Sequence, residues 1–501
     1  MTGHDPGQEQ AGDRTGAEPA SGLPERPGGH LGERPDDQPL RQRRKWPGAV
    51  IAIVAVAAVV LGGLQYLPML LSGSTETDPA PPPAATAIPQ PSASPPSSGT
   101  ENGGGSAPFT ATGFLRMLNE ALADADRERF FELVGPGAVD GLNLWWDNMA
   151  TLGMSGAGLS VESGTLDGLG PGGSADLTIR LGAITLGTPR AGDDSEYADA
   201  GQYLVAAARY RITISVSAAG EGVISGWRPT DPVKPWDQGR LAAVQTEHVL
   251  VASDANEAEL LEEFAGAAEE PASWVLDRYA DAEHGSPIDR FTLFLTEDPE
   301  RAGTWFDTGD HNDELAGFTI PLLRLGEAPG LHPRIATDEE TQWGSTVVIV
   351  GPGGLDSPEA FRSLTAHELT HAVDFAWLPV PQDRSRVISE GWAEYLQELW
   401  DSSGEFAPPG SWRAERIEEC LADGWGYPSD DAFDTDGADI FCAYALSASV
   451  YAYAAERGVD PFELARQARS SGQSLIEVSE HLAGPDVAQA GWEDWVHSTY
   501  G

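Results

Sequence analysis

Between Phe109 and Leu133 the apolar residues Phe114, Leu115, Leu118, Leu122, Phe130 and Leu133 recur at helical spacing, and Gly135-Pro136-Gly137 then breaks the pattern. This predicts an opening helix. Downstream, Asp176–Leu181 and Tyr203–Val216 read as strands, the latter because Tyr210, Ile212, Ile214 and Val216 alternate with polar positions as on a half-exposed sheet. Helix first and long strands after it resemble the cystatin-like cone fold, in which a helix packs inside a curved sheet. Further along, the pattern predicts a strand near Glu247–Ala252, a helix over Ala255–Tyr279, a strand at Phe291–Leu295 and a β-branched strand at Thr346–Val350 that stops at Gly351-Pro-Gly-Gly354. Ser357 suits an N-cap and Pro358 the first helical position, so a helix is expected from there to about Leu378-Pro379. A second helix carries Val387, Ile388, Trp392, Tyr395, Leu396 and Leu399.

The N-terminal part has another character. Residues 1–45 hold almost no large apolar side chains, which predicts a disordered tail. Pro47 to Leu71 is a run of 25 residues without a charge. Arg41, Arg43, Arg44 and Lys45 precede it, and the next basic residue is Arg116. The pattern predicts a signal anchor over 46–71, with a cytoplasmic N-terminus and extracytoplasmic C-terminal domains, that is, a single-pass protein of the cell membrane. Its length and that of the preceding tail argue against a cleaved signal peptide. The Pro/Ser/Gly-rich stretch 72–107 reads as a stalk. The expected organisation is therefore tail, anchor and stalk, then an α+β accessory domain over 108–240 and a mainly helical domain with a small sheet over 241–501. The overall fold class expected is α+β.

Charge narrows the partners. The net charge is −48, and residues 1–45 carry eight acidic against seven basic side chains, so nearly all the excess acid lies beyond the anchor. Long-range repulsion opposes nucleic acid and anionic membrane surfaces as partners. The two cysteines, Cys420 and Cys442, exclude a disulfide framework. In an oxidising compartment they are expected to pair and to anchor the segment bearing Tyr444.

The chemistry concentrates in one stretch. His367-Glu368-Leu369-Thr370-His371 reads H-E-x-x-H, and eighteen residues separate His371 from Glu390. On a helix, positions i and i+4 share a face, so both imidazoles reach one metal while Glu368 points at its water. Glu390 and Glu394 lie one turn apart on the next helix. Two oxygen-rich segments, Asp307 to Glu314 and Asp434 to Asp439, lack the spaced glutamate of a calcium loop and read as solvated turns. The histidines His248, His284, His311, His332, His481 and His497 have no metal-ligand spacing, and Trp145-Trp146 reads as packing.

The H-E-x-x-H helix, the eighteen-residue gap and a glutamate opening E-G-x-A-E-Y resemble the gluzincin metallopeptidases, the group that includes thermolysin-like enzymes and zinc aminopeptidases. The resemblance implies Zn²⁺ held by His367, His371 and Glu390, with Glu368 as general base and Glu394 oriented toward a ligand histidine. It implies a peptide or protein substrate and hydrolysis of peptide bonds. Endopeptidase action is the default, because the G-A-M-E-N-type pattern of aminopeptidases is absent. Related enzymes use a downstream Tyr or His to stabilise the oxyanion, which implies Tyr444 first and Tyr451 second. Two alternatives stay open at this level: a non-catalytic adhesion or sensor module on the same fold, which the intact Glu368 disfavours, and a zinc hydrolase of cell-wall peptides.

Overall fold

The computed structural model describes residues 109–188, 206–230, 233–280, 286, 288–305, 316–325, 343–377, 385–434 and 438–501. The opening pattern folds as two helices, α1 (Ala111–Ala123) and α2 (Arg127–Phe131). The break falls at Ala125, whose φ of 49° is left-handed, and Asp126 then caps α2 by accepting the Arg129 N–H at 3.1 Å. Helix α3 (Val139–Thr151) follows, and it buries both Trp145 and Trp146. Next come β1 (Gly156–Ser163), β2 (Ser174–Ile184), β3 (Ala206–Val216) and β4 (Gly222–Pro229), paired antiparallel in succession. In β3 the alternating Tyr210, Ile212 and Ile214 all face the core beneath α1 to α3.

The chain continues through the short α4 (Pro235–Gln238), β5 (Leu241–Gln245), β6 (Val249–Asp254), α5 (Glu259–Ala280), β7 (Phe291–Leu295), α6 (Pro299–Thr304), β8 (Gly317–Arg324) and β9 (Trp343–Val350). The helical remainder is α7 (Pro358–Trp377), α8 (Arg386–Asp401), α9 (Trp412–Ala422), α10 (Ala438–Glu456), α11 (Pro461–Ser471), α12 (Leu475–Ala483) and α13 (Gln489–Tyr500). All nine strands form one sheet, in the order β1-β2-β3-β8-β9-β7-β6-β5, with β4 paired to β3. Strands β6, β7 and β9 run parallel, and β7 is buried along its whole length, as a central parallel strand should be. Strand β8 is antiparallel to β9 and also meets β3, through Ala206↔Arg324 and Ala207↔Leu323. The strands on either side of residue 240 are thus continuous.

The architecture is a mixed helix-and-sheet one. The expected single-pass anchor over 46–71 is not shown: that segment lies outside the described residues, and among the described residues no helix is long and apolar enough to cross a membrane. Helix α5 has the length, at 22 residues, but it carries glutamates at 259, 262, 263, 269 and 270. Helix α10 is apolar nearly all round because it is the central helix of the second core. The expected tail and stalk, the loop at 307–314 and His284, His311 and His332 also lie outside the described residues.

Helix α5 packs on α7, α7 on α8 and α8 on α10, and α5 and α7 lie against the parallel part of the sheet. Cys420 of α9 and Cys442 of α10 form a disulfide, so the expected pairing is present.

Candidate metal centre

Helix α7 begins where its sequence says it should, with the Ser357 hydroxyl accepting the Ala360 N–H at 3.1 Å. Phe361, Leu369, Ala372 and Val373 are buried in the core, and His367, Glu368 and His371 are buried on the faces left to them. Helix α8 has a borrowed cap. Asp430, from a later segment, accepts the Val387 N–H at 3.0 Å and the Ser385 hydroxyl at 2.9 Å, placing a carboxylate at the helix N-terminus just ahead of Glu390. Gly391 lets α10 come close, since a Cβ there would lie 2.8 Å from Cβ of Ser447.

Both ligand helices are also tied from behind. Tyr279 of α5 donates to Asp374 of α7 at 2.7 Å and accepts from the Trp392 indole of α8 at 2.8 Å. Asp374 is paired with the buried Arg469 of α11. A hydrogen-bonded post therefore fixes α7 against α8 two residues from Glu390.

At the front, three ligand atoms converge. His367 Nε2 and His371 Nε2 are 3.2 Å apart, His371 Nε2 is 3.2 Å from Glu390 Oε2, and His367 Nε2 is 3.4 Å from the same oxygen. A tetrahedral ion with bonds of about 2.0–2.1 Å has ligand–ligand edges of about 3.3 Å, so the three residues make a group able to hold a metal ion. Electrostatics agree. Burial opposes charge on Glu390, yet the facing His371 and His367 hold its carboxyl well below the usual carboxylate range. Burial likewise opposes a charged His367, but Glu390 and Glu368 raise its imidazole above the ordinary value of 6.5. The site thus attracts a proton where a cation would fit, which is the exchange that metal binding exploits.

The other expected residues are placed as follows. Glu368 is buried, and its Oε2 lies 2.8 Å from the hydroxyl of Thr319 on β8, which is equally close to its backbone carbonyl. Glu394 Oε2 lies 3.5 Å from His367 Nδ1, while its other oxygen is engaged by the buried Arg413 of α9. The Tyr444 ring is 6.1 Å from that of His367, edge to face. Burial, with Glu390 and Glu368 nearby, pushes its phenol far up, so it keeps its proton. Tyr451 is fully buried and donates to the Ile388 carbonyl at 2.9 Å, so its hydrogen is committed to holding α8.

Three participants escaped the sequence reading. Thr319 reaches the site through strand pairing and left no local signal. Gln397, whose Oε1 is 3.0 Å from His367 Nδ1, lies two turns beyond Glu390, so the same periodicity that singled out Glu394 reaches it. Arg413 comes from a helix with no motif. Away from this centre, Glu247, His248 and Glu269 cluster near the surface, where Glu269 is already engaged by Thr246 and by both the ring and the N–H of His248. No protein-family model matches the chain, and no curated protein was found to be similar to it.

Proposed function

We propose that the protein is a zinc metallopeptidase of gluzincin type that hydrolyses peptide bonds. The observation that carries this reading is the convergence of His367, His371 and Glu390, from two helices, at the edge lengths of a tetrahedral ion, with Glu368 built into the same helical turn. Zinc in such a set supplies Lewis acidity and brings the pKa of a water to about 7. The chain's own residues do the rest. Glu368 takes the proton of the attacking water and hands it to the leaving amine. Thr319 fixes one oxygen of that carboxylate. Tyr444 keeps its phenol protonated beside the ligands and donates to the oxyanion that forms on the substrate carbonyl. The buried Cys420–Cys442 bond supports an oxidising, extracytoplasmic compartment for this part of the chain.

The test separates binding from turnover. Glu368→Gln should keep about one zinc per chain while activity falls by roughly 10² or more. Glu390→Gln should lose zinc affinity together with activity, and added zinc should restore part of the loss only in this variant. Equal zinc retention in both variants would remove Glu390 from the ligand set. Digesting a peptide library and a cell-wall preparation side by side assigns the amide that is cleaved, and inactivity on both would reject the hydrolase.

A further inference from the structure

The ligand histidine His367 needs its Nε2 lone pair free, and this requires its Nδ1 to carry the hydrogen. Which residue enforces that tautomer is decided by the hydrogen-bond chain behind it. Burial pushes the Asp401 carboxyl up, but once ionised it is an acceptor-only carboxylate, 2.7 Å from the Ser363 hydroxyl, so the hydroxyl then donates to it. Ser363 Oγ must then accept the Gln397 amide N–H at 2.8 Å. That turns the Gln397 oxygen toward His367 Nδ1, 3.0 Å away, and only a protonated Nδ1 fits there. The direction of every bond follows from the carboxylate at the far end.

Glu394 stands differently. Its nearer oxygen is 3.5 Å from the same nitrogen, beyond a good hydrogen bond, and its other oxygen is held by Arg413, which also lies 3.4 Å from Glu398. Glu394 thus serves a buried ion-pair network on α8 and α9. The region already holds Glu368, Glu390 and Glu394, and a further carboxylate on His367 would add repulsion where burial makes it costly. A neutral amide, polarised from a distance by Asp401, orients the imidazole without that charge.

We propose that Gln397, backed by Ser363 and Asp401, is the positioning residue that fixes the tautomer and orientation of His367, and that Glu394 is not. This rests on the metal-centre reading above for its purpose, though not for its test. The variants are Gln397→Met, which keeps the volume and removes both polar groups, Gln397→Glu, which keeps an acceptor, Ser363→Ala and Glu394→Gln. The tautomer of His367 is read by ¹⁵N NMR in metal-free protein above pH 8, and the zinc dissociation constant by chelator competition.

In the wild type the Nδ1–H form should dominate. Gln397→Met should lose that preference and weaken zinc binding by about 10- to 100-fold, the range found for lost partners of ligand histidines. Gln397→Glu should restore the tautomer, and Ser363→Ala should weaken binding by about fivefold, as for one hydrogen bond. Unchanged tautomer and affinity in Gln397→Met, or a larger shift of both in Glu394→Gln, would overturn the proposal. A wild type that binds no zinc would instead reject the metal centre, while the NMR readout would still decide the role of Gln397.

Discussion

Around the first four strands, two buried amides, Asn119 and Asn148, answer backbone groups, and Arg180 is a buried charge, paired with Glu162; around the ligand helices, buried carboxylates, imidazoles and guanidiniums answer one another in larger number. Asn119 accepts the Leu159 N–H at 2.8 Å and donates to the Leu115 carbonyl. Asn148 accepts from Leu241 at 2.9 Å and donates to the carbonyls of Trp236 and Gly239. These amides staple helix to sheet, and each is satisfied once folding is complete. In the second core, Glu390 faces two imidazoles, and Asp374 and Arg469 are buried as a pair. Isolated buried charge is costly, so a fold retains it where each partner is over-determined or where the charge has work to do. Buried charges that answer one another concentrate in the half that holds the candidate site, whereas the first half has the pair of buried Arg180 with Glu162 beside its two amides.

The largest expected effect tests that difference at its most buried pair. Arg469→Met should cost about 3–5 kcal/mol, because it strands Asp374 beside Tyr279, whereas Arg469→Met with Asp374→Leu should recover much of the loss in chemical denaturation. Equal losses in the single and double variants would mean that the pair acts as packing and not as charge.

Replacing both Cys420 and Cys442 by Ser should lower stability by about 3 kcal/mol, given a sequence separation of 22. It should also loosen zinc binding, because α9 brings Arg413 to Glu394 and α10 brings Tyr444 to His367. Unaltered zinc affinity in that variant would detach the disulfide from the site. On the other side of the comparison, Asn148→Ala should cost about 2 kcal/mol by leaving three backbone groups unanswered, with zinc content unchanged. Loss of zinc from that variant would break the division between the two halves.

The smallest effect concerns pH, and it takes opposite signs at Glu162 and at Glu398. Burial opposes charge on Glu162, but hydrogen bonds from Arg209 and Arg180 win and hold its carboxyl below 4.5. Its contribution is present above about pH 4.5 and is lost as pH falls through the folded value. Burial, aided by Asp401, pushes Glu398 up to about 7 against the Ser402 hydrogen bond. The folded chain then holds a proton that the unfolded chain releases, so this contribution is full below about pH 4.5 and is lost as pH rises through about 7. Stability–pH curves of Glu162→Gln and Glu398→Gln should therefore depart from the wild type in opposite directions. Departure in the same direction would remove the electrostatic distinction.

What could be read from the sequence was whatever depends on local spacing. The caps at Ser357 and Pro358, the shared face of His367 and His371, and the periodic strand at Tyr210 to Val216 all emerged in place. Strand β8 did not. Pro321 interrupts an apolar run, and a register shift between Pro321 and Leu323 accommodates it, so the strand exists only through its neighbours. Strand β1, Gly156–Ser163, opens on Gly-Ala-Gly, which carries little strand preference of its own. The same limit applies inside the site. Periodicity sets Glu394 and Gln397 near the ligand face, but which one meets His367 is decided by Arg413, nineteen positions beyond Glu394 in sequence and held there by tertiary packing.

Strand β8 between β9 and β3 has a consequence for how the molecule can be cut and recombined. A fragment starting at residue 241 would lack the Ala206 and Ala207 backbone that meets Leu323 and Arg324, leaving bare one margin of the strand that carries Thr319. Bare strand margins recruit other chains, so such a fragment should self-associate even when helices α7 and α8 are intact. Grafting the helical part onto another carrier therefore means supplying a matching strand, since a flexible tether would leave that margin open to its own copies.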